Sequence, residues 1–306
     1  MVEALKQAVQ KARAMRAQAG AAHPHPQAAA PAAAPAPAPV SFDQPVPQAP
    51  HPPAGPAAAA PGPQPELDAV WQGLEQIRLS ASHLEKQRLI AHARTDPAHA
   101  AFDVLRTKLL GVFARKGWTR LGITSPTKGC GKTFTSANLA LSLSRQADCR
   151  TLLADMDLRS PGLAKALGVA EAMPLAWFLN GEADPQDFLL RQGSNLALAL
   201  NSEKVRDAAE TILAGSTARA LAEAQDLLKP DVVIYDLPPM LVCDDVMGFL
   251  PQLDCVLLIV GGGKTKAADI TECERMLADQ TPILGVLLNN AEGVSSTQYG
   301  YGYGKD

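Results

Sequence analysis

Aromatic residues make up only 5% of this 306-residue chain and charged residues 19%. Lys and Arg number 28 against 31 Asp and Glu, a net charge of −3, and no basic stripe gathers anywhere. That balance argues against a nucleic-acid partner, whose phosphates need a clustered positive face. Long apolar runs are missing too. The longest, Cys255 to Val260, falls far short of the ~20 residues that cross a bilayer, and the N-terminus lacks the apolar core of a signal peptide. Cysteine is scarce: Cys130, Cys149, Cys243, Cys255 and Cys273 are odd in number, show no zinc spacing and mostly sit in apolar runs. They read as reduced core thiols. These absences predict a soluble, cytoplasmic chain that reaches a membrane only through a partner or a surface helix.

Proline is plentiful but misplaced for a folded core, since fifteen of the 25 lie between residues 24 and 65. Residues 1–20 read as an amphipathic docking helix, with Val2, Leu5, Val9, Ala12 and Met15 at helical spacing among Lys6, Lys11, Arg13 and Arg16. Residues 21–65 form an Ala/Pro-rich disordered linker that cannot bury a core and, as polyproline II, would reach ~140 Å. Residues 66–95 read as a mildly helical lead-in, with Trp71, Leu74 and Ile77 on one face. Asp96-Pro97 then caps a helix running to about Arg115, stopped by Gly117. From there to residue 292, apolar strand-like runs alternate with helical stretches: WTRLGIT, RTLLADMD, NLALAL, DVVIYDLPP, CVLLIVGGG and ILGVLLNN are the strands. Near-continuous apolar strands separated by helices predict an α/β fold with a mostly parallel, doubly wound sheet, ligands sitting at the carboxyl ends of its strands.

One such strand runs into RLGITSPTKGCGKT (120–133). A Gly-rich turn between strand and helix collects backbone N–H groups around an anion, Lys132 adds a point charge, and the Thr133 hydroxyl can ligate Mg²⁺. The pattern's first Gly is replaced by Pro126, while Gly129 and Gly131 keep the close-approach positions. Gly129, Cys130, Gly131, Lys132, Thr133 and Phe134 are therefore candidate nucleotide contacts. Two acidic motifs follow at strand ends, LLADMDLRSPG with Asp155, Asp157 and Arg159, and VVIYDLPP with Asp236. A carboxylate at a buried strand end needs a compensating cation, and nucleotide-bound Mg²⁺ supplies one.

The tail, residues 293–306, is the other concentration of chemistry. Three of the four tyrosines, Tyr299, Tyr301 and Tyr303, alternate there with glycine. Such a segment reads as flexible and as an accessible phosphoryl acceptor.

Taken in order, these motifs resemble the bacterial tyrosine kinases that accompany capsule and exopolysaccharide synthesis, members of the P-loop, MinD/ParA-like superfamily. The resemblance covers roughly residues 95–306. It implies ATP and Mg²⁺ as cofactors, Lys132 on the phosphates and Thr133 on the metal. It further implies Asp155 polarising the tyrosine hydroxyl, Asp157 on the metal, Asp236 in the metal's water shell, Asn289 facing the adenine, and the tail tyrosines as autophosphorylation sites. By the same resemblance the partners are further copies of the chain and a transmembrane polysaccharide co-polymerase, which would hold the protein at the inner membrane. The family's acidic-x-x-Arg-x-x-Arg ring-forming helix falls on Ala100, Asp103 and Arg106, where only Arg106 survives. The alternatives are a MinD/ParA-type ATPase switch, whose signature Lys is Thr127 here, and a non-catalytic nucleotide-binding regulator of polysaccharide export.

Overall fold

The computed structural model describes residues 65–89, 97–170 and 172–291. The expected docking helix, the linker up to Gln64, the expected cap at Asp96 and the tyrosine-rich tail lie outside the described residues. Helix α1 (Pro65–Gly73), strand β1 (Glu75–Ile77) and helix α2 (Ala81–Lys86) come first. Helix α3 (Pro97–Lys116) begins on proline, whose fixed φ suits a first turn, and ends at Gly117, φ 66°. Then follow β2 (Arg120–Thr124), α4 (Lys132–Leu143), β3 (Thr151–Asp155), α5 (Leu163–Leu167), α6 (Leu175–Leu179), α7 (Pro185–Phe188), β4 (Leu190–Gln192) and β5 (Leu196–Ala199). The remainder is α8 (Ala208–Leu213), α9 (Gly215–Leu228), β6 (Val232–Asp236), α10 (Asp245–Phe249), β7 (Cys255–Gly261), α11 (Ala267–Leu277) and β8 (Ile283–Asn289).

The strands form one eight-stranded sheet in the order β1-β4-β5-β3-β6-β2-β7-β8. All neighbours from β5 to β8 run parallel, whereas β4 is antiparallel to β5 and carries β1 with it. The expected mostly parallel sheet is thus covered on both sides. Because side chains alternate along a strand, Leu153, Ile234, Leu257 and Ile259 bury against α3, α4 and α5. Their neighbours Leu152, Tyr235, Val256 and Leu258 bury against α1, α6, α9, α10 and α11.

Two segments depart from the sequence reading. The lead-in does not put Trp71, Leu74 and Ile77 on one helical face: α1 ends at Gly73 and Ile77 lies on β1, paired with Gln192. Trp71 is 1% exposed and donates its indole N–H to the Leu228 carbonyl at 2.9 Å. Pairing with β4, distant in sequence, overrides the weak local helical preference. The helical stretch between NLALAL and DVVIYDLPP is not one helix but is broken at Ala214, which is extended (φ −64°, ψ 140°). Gly215 follows it, and Thr217 returns its hydroxyl to the Thr211 carbonyl across the break.

Of the ring-motif positions, Ala100 is exposed, while Asp103 and Arg106 engage their own chain. Arg106 donates to the Ser142 carbonyl at 2.8 Å, Ser142 donates to Asp103 at 3.0 Å, and Asp103 also pairs with Arg145. Both charges tie α3 to Ser142 of α4 and to Arg145 just beyond it.

Candidate active site

The carboxyl edge of the sheet gathers the chemistry. β2 ends at Thr124, the loop 125–131 follows, and α4 opens at Lys132. Gly129 and Gly131 hold left-handed φ values of 75° and 96°, a conformation that disfavours side chains. A Cβ on Gly131 would also collide with the Asn289 amide. Pro126 is accommodated because the loop needs only its carbonyl, which accepts from Leu241 N–H at 3.0 Å. Gly131 caps α4 without a side chain, so the first-turn N–H groups are free to meet an anion. Over this loop lies a cleft of about 280 Å³, lined by Lys128, Gly129 and residues 131–134, and closed by Asp157, Ser160 and Pro239. A larger groove, about 680 Å³, runs between α3 and β8, but its walls are mostly Leu and Val and none of the carboxylates lines it.

Beneath the cleft, Asp155 and Asp236 end adjacent parallel strands in register with each other. Lys132 Nζ lies 2.6 Å from Asp157 Oδ2 and 4.0 Å from Asp236 Oδ1. Thr133 donates to Asp236 at 2.6 Å and Ser136 to the same carboxylate at 3.2 Å. Asp155 Oδ2 accepts the backbone N–H groups of Gly162 and Leu163, both at 2.9 Å, while its Oδ1 is buried without a hydrogen-bond partner. Burial first, and the Asp236 charge second, push Asp155 up to about 8 against the pull of those N–H groups and Lys132. Burial also raises Asp236, only partly offset by Lys132, Thr133 and Ser136. For Lys132 burial works downward, but Asp236 and Asp157 outweigh it and hold the ammonium charged.

No protein-family model matches the chain. Over 209 residues, however, it is 31% identical to the tyrosine-protein kinase CpsD of Streptococcus agalactiae, a match spanning 67% of this chain and 89% of that one. The chain belongs to this family of bacterial tyrosine kinases. The kinase domain of the Escherichia coli tyrosine kinase Etk superposes with a TM-score of 0.61 at 27% identity, covering 70% of this chain and 84% of that domain. The succinoglycan biosynthesis transport protein ExoP of Rhizobium meliloti is 30% identical over 179 residues, which are 56% of this chain but only 22% of ExoP.

Among the kinase residues anticipated from sequence, Gly129, Gly131, Lys132, Thr133, Phe134 and Asp157 line the cleft. Phe134 turns its ring edge-on to Phe102, centroids 6.0 Å apart. Cys130 does not line the cleft, its fully buried thiol facing Thr127 and Thr265. Burial alone would raise that thiol, yet hydrogen bonds from Thr265, Thr127 and Gly261 bring it below its usual range. Asn289 holds the loop itself, donating to the Cys130 carbonyl at 2.9 Å. Tyr299, Tyr301 and Tyr303 lie outside the described residues.

Three participants escaped the sequence reading. Ser136 was detectable, since it lies one helical turn from Lys132 on the same face. Ser160, whose N–H donates to Asp157 at 3.0 Å, and Asp245, which grips Arg159 through two hydrogen bonds of 2.7 and 2.8 Å, depend on folding back of loops and carry no local signal.

The oxygen-rich set of Thr133, Asp157 and Asp236, with the orphaned Asp155 Oδ1 beside it, suits a hard cation such as Mg²⁺. Among the described residues no cluster of three or more His, Cys, Asp or Glu cages a metal by itself.

Proposed function

We propose that the chain is an ATP-dependent protein-tyrosine autokinase that regulates exopolysaccharide or capsule polymerisation and export with a transmembrane co-polymerase. The observation that carries the kinase reading is the convergence of the loop lysine, Lys132, on carboxylates from two adjacent strand ends and the turn after one of them. In this reading the loop N–H groups and α4 seat the ATP phosphates, and Lys132 leaves its contact with Asp157 to meet them. A tail tyrosine attacks the γ-phosphorus in line; its O–P bond forms as the bond to the ADP oxygen breaks, and the hydroxyl proton passes to Asp155. Asp155 suits this task because its raised pKa lies close to neutrality. Mg²⁺, when bound, would offset the charge on the phosphoryl oxygens. Positioning and electrostatics account for such a transfer, with no covalent enzyme intermediate. The tail from Asn290 to Tyr303 spans at most ~45 Å, enough for transfer within one chain or between copies.

Incubated alone with MgATP, the purified protein is expected to gain phosphotyrosine, and a Tyr299/Tyr301/Tyr303→Phe variant to gain at least about tenfold less while binding ATP normally. An unlabelled wild type, or an equally labelled triple variant, refutes autophosphorylation of the tail. Each phosphotyrosine adds about −1.5 to −2 charges, enough to drive tails apart.

No described helix is long and apolar enough to cross a membrane. ExoP, named for polysaccharide transport, carries the matching region within a much longer chain; in the present proposal the co-polymerase is a partner engaged by residues 1–20. Deleting those residues should abolish partner-stimulated phosphorylation and spare nucleotide binding. Unchanged stimulation would discard that docking role.

A further inference from the structure

We propose that Lys264, on the turn between β7 and α11, is a further cation, besides Lys132 and the cleft-lining Lys128, that contacts the nucleotide phosphates from within the same chain; this rests on the reading of the Gly-rich loop as a nucleoside-triphosphate site. Two facts about charge create the need. Lys132, 2.6 Å from Asp157 and 4.0 Å from Asp236, must divide its charge between those carboxylates and any phosphates it moves to meet, and Lys128 is the other lysine lining the cleft. A polyphosphate is itself a polyanion, brought to the edge of three Asp side chains. Further positive charge close to the loop is what would let it stay.

The turn that carries Lys264 is clamped against the loop. Within it, Lys264 N–H and Thr265 N–H donate to the Gly261 carbonyl at 3.1 and 2.9 Å, and Gly261 N–H donates to the Thr265 hydroxyl at 2.9 Å. That hydroxyl lies 3.6 Å from Cys130 Sγ, and a Cβ on Gly261 would stand 3.5 Å from the Cys130 Cα. On its other side, Gly262 N–H donates to the Asn289 carbonyl at 2.7 Å, and a Cβ on Gly262 would meet the Asn290 carbonyl oxygen at 2.5 Å. A turn packed between the phosphate loop and the end of β8 has little freedom to carry Lys264 elsewhere.

From this seat the Lys264 ammonium lies where a side chain on Gly129 would be. Gly129 lines the cleft, and its missing side chain leaves the space against the loop that the ammonium takes. Lys264 is solvent-exposed and, among the described residues, makes no ion pair. A long exposed side chain laid on a loop backbone, with no carboxylate to draw it there, is placed to meet an incoming anion.

The test measures binding of MgATP, MgADP and AMP to the purified full chain by calorimetry, for wild type, Lys264→Ala, Lys264→Arg and Lys116→Ala. Lys116 precedes β2 at the opposite edge of the sheet and controls for loss of one charge. Lys264→Ala is expected to weaken MgATP about tenfold, with a larger loss at low salt, and AMP by less than about twofold. Lys264→Arg should restore most of the affinity and Lys116→Ala should match wild type. MgATP affinity unchanged in Lys264→Ala overturns the proposal and leaves the nucleotide site standing. Equal weakening of AMP and MgATP also overturns it, because that is the signature of a loop merely distorted. A wild type that binds no MgATP removes the nucleotide-site reading, and the role of Lys264 falls with it.

Discussion

Lys132→Ala is expected to cut the rate of phosphotyrosine gain by about a thousandfold or more, roughly 4 kcal/mol of transition-state stabilisation. Among the described residues the side chain is the one cation buried among Asp155, Asp157 and Asp236, and those carboxylates hold it charged despite its burial. Its removal deletes the charge that would face the phosphoryl oxygens and leaves Asp236 with two hydroxyl donors and no cation. Because an uncompensated buried carboxylate is itself destabilising, folding should be checked by circular dichroism and by a Lys132→Met variant of similar length. Anti-phosphotyrosine detection after incubation with MgATP reads the effect. A folded Lys132→Ala protein that labels like wild type would falsify the kinase assignment.

Asp155→Asn should move activity and stability in opposite directions. Asparagine keeps an oxygen to accept the Gly162 and Leu163 N–H groups and cannot take a proton from tyrosine, so phosphorylation is expected to fall by about 10²–10⁴-fold. Stability follows from the rise of the Asp155 pKa from 3.8 to about 8 on folding. The folded chain holds this proton more tightly than the unfolded one, so stability falls as pH climbs between those values, and the loss is complete above the folded pKa. In nucleotide-free, metal-free protein the variant lacks this decline and the repulsion from Asp236. It should therefore melt higher than wild type at about pH 8, by an amount on the order of 1–3 kcal/mol, with the difference vanishing toward about pH 4. Thermal melts of both proteins across that range decide it. A variant no more stable than wild type at the alkaline end would show that Asp155 is not strained in the native state.

The two departures of the fold from the sequence reading share a cause. Glu75–Ile77 carries no strand signature and becomes β1 because β4 offers an edge to pair with. Ala214 looks like any helical alanine, and is extended where α8 hands over to α9. Tertiary contacts decide such short, weakly biased segments. Asp103 and Arg106 illustrate the same point at a surface. Their spacing resembles an assembly motif, yet they face Ser142 and Arg145 of their own chain.

By itself the sequence determined the parallel α/β architecture, the phosphate loop and the identity of its lysine, threonine and three acids. Each of these is local: a hydrophobic period, a glycine that must take positive φ, a carboxylate closing an apolar run. Only the tertiary structure decided that Asp155 and Asp236 stand opposite each other across β3 and β6, that Lys132 rests on Asp157, and that Asn289 and Lys264 close on the loop from β8 and the β7–α11 turn. Strand order and register set those encounters, and both arise from pairings between residues up to about half the chain apart, which no local pattern encodes.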